Sequence, residues 1–327
     1  MTLTDKAAPE AAPSEPGDPA VPPPAARPER RRSFGTWIRG GGLSTLVFVI
    51  PMLVVFGFFS WSPIVQSVVM SLQKTNLIEA TWVGFDNYVR VFNDPLLGTA
   101  VLNTLYFALL ALVFGFPLPI FMAVLMSEVK RGKGLYSALA YLPVVVPPVV
   151  AVLLWKVFYD ASPTGVFNTV LGWVGIPPQP WLQSPASAMP SLVIEATWAA
   201  AGGSIIIYLA ALLSVPPELY DAAEVDGASI WKKIWHVTLP QLRGILFIML
   251  ILQIIGTAQV FLEPFLFTGG GPNNSTITIL LLIYKKAFQN SLGGDYGEAT
   301  ALSVLLAVFL GLLSWAYFKL TDRWSTS

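Results

Sequence analysis

The stretch PPELYDAAEVDGASIWKKIWHVTLP, residues Pro216 to Pro240, lies between two long apolar runs and carries six charged side chains. Four are acidic (Glu218, Asp221, Glu224, Asp226) and two are basic (Lys232, Lys233). Pro217 suits the first turn of a helix, and Glu218 just after it meets the positive end of the helix dipole. The spacing predicts a short helix running to about Val225, with Leu219, Ala222 and Ala223 on one side. Gly227 breaks it. Ser229 then suits the cap of a second helix whose apolar stripe is Ile230, Trp231, Ile234 and Trp235. Pro240 is expected to open the next apolar run. A helix, a glycine and a second helix joined stiffly to two membrane spans make an elbow able to carry force into them.

Within the elbow, Asp221-Ala222-Ala223, three residues, Gly227, nine residues and then Val-Thr-Leu239-Pro240 resemble the EAA loop. That loop belongs to the inner-membrane permeases of binding-protein-dependent ABC importers. Asp221 stands where glutamate is usual and Val237 where isoleucine is commoner, and both changes keep the chemistry. The other reading is an amphipathic loop of an unrelated membrane protein, but a long gapped pattern at fixed spacing favours the resemblance. It implies that the elbow docks into a groove on an ATPase subunit. Asp221, Ala222, Ala223, Asp226, Gly227, Leu239 and Pro240 are then the coupling residues. The two alanines would allow close approach, and the acidic flank would meet basic residues of the partner.

Outward from the elbow the chain is apolar. Hydrophobic residues make up 54% and charged residues 12%, with a mean hydropathy of +0.65, too apolar for a water-soluble domain. A bilayer core takes about 20 apolar residues per helix. Six runs meet that length: 43–67, 99–127, 136–158, 189–214, 242–266 and 297–319. The expected fold is therefore an all-α membrane protein of six transmembrane helices with a helix–glycine–helix elbow. Prolines at 51, 117, 119, 143, 147 and 148 fall inside these runs, so kinked helices packed against neighbours are expected. Residues 1–42, rich in Pro, Ala and charge, are expected to form a disordered cytoplasmic tail, leaving 43–327 as the transmembrane domain. The arginines before the first run imitate a signal peptide, but no small-residue cleavage site follows it. With the N-terminus inside, 14 of the 19 basic residues fall on cytoplasmic pieces, among them the elbow and the C-terminus. A multi-pass protein of a bacterial-type cytoplasmic membrane, with both termini cytoplasmic, is the expectation.

Other segments extend the resemblance over roughly residues 43–320. FTGGGPNNSTITILLLIYKKAF (267–288) is similar to a segment typical of the carbohydrate-importing permeases, as are VGFDNYVRVFND (83–94) and YLPVVVPPVVAVLLWKVFYD (141–160). Taken alone the glycine cluster is equally well a plain loop. The apolar stretch after it is too short to cross a bilayer and is expected at the outer interface.

Several classes of chemistry find no residues here. The chain has no cysteine and one histidine, which leaves no disulfide, no thiolate metal site and no nucleophile–base pair of the usual kind. His236 reads as a surface residue of the elbow. No G-x-x-x-x-G-K-[ST] occurs, and Gly132-Lys133 lacks the upstream glycine. The expectation is a transport subunit, not an enzyme, with no cofactor and no metal. The formal charge of +0 points to no nucleic-acid partner.

Polar groups within spans are costly and mark either a pathway or interhelical hydrogen bonds. The fourth run offers Glu195, Thr197, Trp198, Ser204 and Tyr208, and the fifth offers Gln253, Thr257, Gln259 and Glu263. Gln253 with Thr257, and Gln259 with Glu263, are four apart and would share a helix face. Glu195 and Glu263 are expected near the outer surface. Hydroxyl-directed groups and aromatic faces are what a sugar needs, and the set as a whole favours a pathway. The resemblance implies half of a carbohydrate channel, with an oligosaccharide as the expected cargo. Its implied partners are a second permease subunit in a heterodimer, two ATP-binding subunits, an extracytoplasmic sugar-binding lipoprotein and membrane lipid. The alternative is an ion-coupled secondary transporter or channel, which would show charges at mid-span.

Overall fold

The structure, a computed structural model, describes residues 43–129, 131–289 and 295–325. The expected tail, 1–42, lies outside them. Five helical stretches are long and apolar enough to cross a membrane: Ser44–Ser71, Pro95–Glu128, Pro185–Leu213, Ile230–Ala258 and Tyr296–Thr321. A sixth exists only if a bent helix pair counts as one span.

The chain divides into two compact units, residues 1–60 and 61–327. The first contains α1 (Leu43–Phe56), which runs into a π-helical turn at Gly57–Trp61. Its side chains are largely exposed, Phe48 to 79% and Met52 to 72%, as a helix facing lipid requires.

The second unit begins with α2 (Ser62–Ser71), then a hairpin of β1 (Gln73–Thr75) and β2 (Ala80–Trp82), paired antiparallel with Gln73 opposite Trp82. No sequence signal announced this hairpin. Asn76 shapes its turn by accepting from the backbone N–H groups of Ile78 and Glu79 at 3.0 and 2.8 Å. Helix α3 (Asp86–Phe92) follows and buries Asn87, whose amide donates to the Ser71 and Gln73 carbonyls.

The second span is α4 (Pro95–Leu110), a π-helical turn at Ala111–Gly115, and α5 (Pro117–Glu128). Asp94 caps it by accepting from the Leu96 N–H at 2.7 Å, with Pro95 at the first helical position. At the π turn the Phe116 N–H bonds the Ala111 carbonyl, and Pro117 stands within one helical stretch, Pro95–Glu128, without ending it.

The third apolar run, 136–158, is bent at its prolines: it forms α6 (Lys133–Val145) and α7 (Pro148–Phe158), at 99° to each other, a broken span or a re-entrant loop. Val146 and Pro147 precede prolines and are extended, as the proline ring demands of the residue before it. Then come α8 (Val166–Trp173), the 29-residue α9 (Pro185–Leu213), the elbow helices α10 (Pro217–Val225) and α11 (Ile230–Lys233), and α12 (Leu239–Ala258). Helices α13 (Ile279–Phe288) and α14 (Tyr296–Ser325) complete the chain. As expected, α13 is too short to span.

Helix α9 is the axis of this unit. Near its start Met189, Leu192 and Val193 pack with Phe107, Trp155, Tyr159 and Phe267. Near its end Ile205, Tyr208 and Leu212 pack with Ala123, Met126 and Leu242. Gly202 lets α6 cross it closely: a Cβ there would stand 2.4 Å from the Ala140 carbonyl oxygen.

A half-buried ion cluster fastens α13 to its neighbours. Lys286 bonds both Asp94 and Glu298, and all three side chains are 12–14% exposed. Burial alone would raise the Asp94 carboxyl, but the Lys286 and Leu96 hydrogen bonds hold it below its ordinary 3.8. Burial alone would lower Lys286, but its two carboxylate partners hold it above 10.5. Asp94 therefore stabilises the fold above pH 3.8 and loses this as pH falls through its depressed value. Lys286 stabilises it below pH 10.5 and loses this as pH rises through its elevated value. Lys286→Met leaves two carboxylates facing each other without their shared cation, and should cost about 3–5 kcal/mol. A thermal unfolding scan of the detergent-solubilised protein checks it. An unchanged midpoint would show that the cluster is not structural.

Candidate functional site: a polar cavity and an elbow

A cavity of about 560 Å³ opens between the π turn of the second span, α9, α12 and the turn after α12. Thr197 and Ser204 reach it from α9, Gln253 and Thr257 from α12, and Gln259 and Glu263 from the following turn. Two residues explain why these elements come so near. Gly115 has no side chain, and a Cβ there would stand 3.0 Å from Thr197 Oγ1 and 3.6 Å from Gln253 Nε2. Gly256 leaves the α12 wall bare beside Thr257.

Six of the nine pathway candidates thus share one cavity. The other three do not line it. Trp198 faces an apolar cavity of about 780 Å³ beside α6, its ring 5.6 Å from Trp155. Tyr208, 1% exposed, belongs to the apolar packing near the end of α9. Glu195 is 2% exposed, and its Oε2 has no hydrogen-bond partner among the described residues, so it is packed into the protein and does not line the cavity. It lies on α9 one turn beyond Ser191, whose carbonyl accepts the Tyr159 hydroxyl. Its burial follows from the aromatic packing of Trp155, Tyr159 and Phe267 around this part of α9.

A correction concerns Gln259 and Glu263. The helix ends at Ala258, not 266, with Gln259 as its cap, so the two do not share a helix face. Pro264 heads the next π turn, where its missing N–H costs no helical bond. They meet in the cavity through the turn instead. Phe107, Ala111, Gly115, Met249 and Phe261 also line it and were not singled out from sequence. Apolar and small residues in an apolar run carry no pattern that separates wall from core.

The segment after the cavity is closely tied down. The Asn103 amide donates to the Asn274 and Ile277 carbonyls, Thr276 bonds Thr268, and Thr278 Oγ1 donates to the Val260 carbonyl at 2.9 Å. TGGGPNN is therefore an ordered turn, with Gly269 and Gly270 at positive φ.

The elbow closes with paired backbone bonds. The Ala228 N–H reaches the Ala223 carbonyl at 2.9 Å and the Gly227 N–H the Glu224 carbonyl at 3.0 Å, the Schellman pattern of a helix end. It needs a left-handed residue, and Gly227 has φ of +70°. Nothing lies within 4 Å of where its Cβ would be, so the backbone alone selects glycine. Ser229 sits at the cap of α11, but its side chain makes no capping bond. Pro240 stands in the first turn of α12, as expected, and α11, a π turn at Ile234–Thr238 and α12 form one helical stretch from Ile230 to Ala258. The Tyr220 hydroxyl meets Thr238 Oγ1 at 3.1 Å, and Lys233 pairs with Glu224 at 3.0 Å, tying α10 to that stretch. Asp221, Ala222, Asp226 and Pro240 are exposed, and Ala223 and Leu239 are half-buried. Of the predicted apolar stripe, Ile230, Trp231 and Trp235 are exposed and Ile234 is half-buried, so the described residues leave most of it uncovered.

Membrane-crossing helices around a polar cavity, with a helical elbow continuous with one wall, define a membrane transport subunit. Residues 115–325 match the family described as binding-protein-dependent transport system inner membrane component, and the chain belongs to that family. It is 34% identical, over 84% of its length and 86% of the relative's, to the arabinooligosaccharides transport system permease protein AraP of Halalkalibacterium halodurans. It is 32% identical to the trehalose/maltose transport system permease protein MalF of Thermococcus litoralis, over 84% of this chain and 92% of that protein. Among solved structures, a chain of a bacterial ABC transporter involved in import of the acidic polysaccharide alginate superposes with a TM-score of 0.76. It is 28% identical, covering 88% of this chain and 97% of that one.

Proposed function

We propose that this chain is one permease subunit of an ABC importer, forming half of the path for a carbohydrate, an oligosaccharide in particular. The relatives named for arabinooligosaccharides, trehalose and maltose support the cargo class. ATP is hydrolysed on two separate subunits. A second, different permease completes the channel, and an extracytoplasmic sugar-binding protein delivers the cargo. A solved relative in complex with a periplasmic protein supports that last partner. Basic residues concentrated on the tail, the elbow and the C-terminus favour a cytoplasmic elbow and cytoplasmic termini.

The observation that carries the mechanism is the unbroken helical stretch Ile230–Ala258. Its first turns belong to the elbow, and its last turns hold Gln253 and Thr257 in the cavity wall. Closure of the ATPase pair would displace the elbow, and this stretch would pass the movement to the cavity without an intervening hinge. Asp221, Ala222, Ala223, Asp226, Gly227, Leu239 and Pro240 form the coupling surface. Thr197, Ser204, Gln253, Thr257, Gln259 and Glu263 offer hydroxyl, amide and carboxylate partners to sugar hydroxyls.

Buried Glu195 is the one observation that favours ion coupling. A single experiment separates the two readings. Uptake should stop when the ATPase partner is inactivated while this chain stays in the membrane. Uptake that persists and follows a proton or sodium gradient would replace the importer reading.

A further inference from the structure

Among the residues lining the polar cavity, Glu263 is the only ionisable one, and no lysine, arginine or histidine reaches it. Three cations of the surrounding segments have partners, and Lys285 stands against Gly270 in the turn after the cavity without lining it. Lys286 is held by Asp94 and Glu298, Arg90 by Asp295 at 3.0 Å, and the Lys156 ammonium donates to the Leu266 carbonyl at 3.1 Å. Glu195, which does not line the cavity, is buried with one oxygen unpartnered. Neither carboxyl has an ion-pair partner among the described residues.

We propose that Glu263 makes this half of the path select by charge, admitting neutral saccharides and disfavouring acidic ones such as uronate chains. This rests on the reading of the cavity as the translocation path. A cleft lined by one sign of charge concentrates opposite charges and repels like ones. A uronate entering it would exchange water for a cavity that holds a carboxyl and no cation, an uncompensated burial of charge. A neutral sugar meets the opposite situation. Its hydroxyls can hydrogen-bond the Glu263 carboxyl, and can both donate to and accept from Gln253, Gln259 and Ser204. Phe107 and Phe261 supply ring surface in the same cavity. Discrimination here is by repulsion as much as by fit.

The absence of cysteine from the chain allows a direct measurement. Ser204→Cys places a near-isosteric thiol on the cavity wall, in the full chain assembled with its partner subunits in vesicles. It is treated with methanethiosulfonates bearing an ammonium, a sulfonate or a neutral head, at mildly alkaline pH, and the mass shift of this chain is followed. The ammonium-to-sulfonate rate ratio should exceed that of a small free thiol by about tenfold, the low end for charged clefts. Adding Glu263→Gln should bring it back toward the free-thiol value. A ratio equal to that of the free thiol, or one that Glu263→Gln leaves unchanged, overturns charge selection while the cavity stays a path. Failure of all three reagents to react would show a cavity closed to water, and would overturn the path reading itself.

Discussion

Gly227→Val and Ala223→Trp should each abolish uptake while leaving the chain inserted in the membrane. The two act on different parts of the elbow. Gly227 closes α10 in a left-handed conformation, at φ +70°. A side chain there costs about 1–2 kcal/mol, and a β-branched one more, because its χ1 rotamers are already crowded. Open space around the position rules out a steric clash as the cause. The strain would instead release the paired bonds from Ala228 to Ala223 and from Gly227 to Glu224, and redirect α11. Gly227→Asn, which tolerates the left-handed region, should be much milder. Ala223→Trp leaves the backbone alone and adds bulk to a half-buried surface of α10. Neither variant touches an apolar span, so insertion should be unaffected. Co-purification of the ATPase with tagged chain, alongside sugar uptake, is the measurement. Asp221→Glu restores the residue commoner in the family and should be silent. Normal ATPase retention and uptake by both disruptive variants would remove the elbow as the coupling element.

The elbow was legible in the sequence because its signals are local. Pro217, Gly227 and the charge pattern each act within one or two helical turns, and the helix bounds Pro217–Val225 came out as expected. Spans were legible in existence, since apolar length alone reveals them, but less so in shape. The 99° break at Val146-Pro147 is a matter of which of several prolines bends a run, and that depends on packing against Gly202 and its neighbours. The same run holds Pro143, which stays inside α6. Likewise Pro117 follows a π turn within one helical stretch while Pro264 stands beyond a helix end. Polar residues in apolar runs led to six of the cavity's side chains. Glu195 and Tyr208 are equally polar and equally within a run, yet they face packed aromatic and apolar neighbours. Which face of a helix is wall and which is core is decided by long-range packing, and one sequence does not encode it in any short pattern.

Two glycines in neighbouring parts of the bundle should fail in opposite ways. Gly115→Leu should stop uptake with the transporter assembled, whereas Gly202→Ala should weaken the fold itself. At Gly115 the first added atom would stand 3.0 Å from the Thr197 hydroxyl and 3.6 Å from the Gln253 amide, both side-chain groups that can give way. The rest of the leucine then enters the cavity of about 560 Å³, covering the groups proposed to meet sugar hydroxyls. Gly115→Ala should retain much of the uptake, because one methyl group needs only a small shift. At Gly202 the added atom would stand 2.4 Å from the Ala140 carbonyl oxygen and 2.9 Å from Val144 Cγ2. A backbone carbonyl cannot rotate aside, so α9 and α6 must separate, at a cost of about 1–3 kcal/mol for an overpacked interface. Thermal stability in detergent separates the cases: Gly115→Leu near the parent midpoint, Gly202→Ala clearly below it. Full uptake by Gly115→Leu would mean that cargo passes elsewhere. A Gly202→Ala protein as stable as the parent would mean that the crossing of α6 over α9 has room for a side chain.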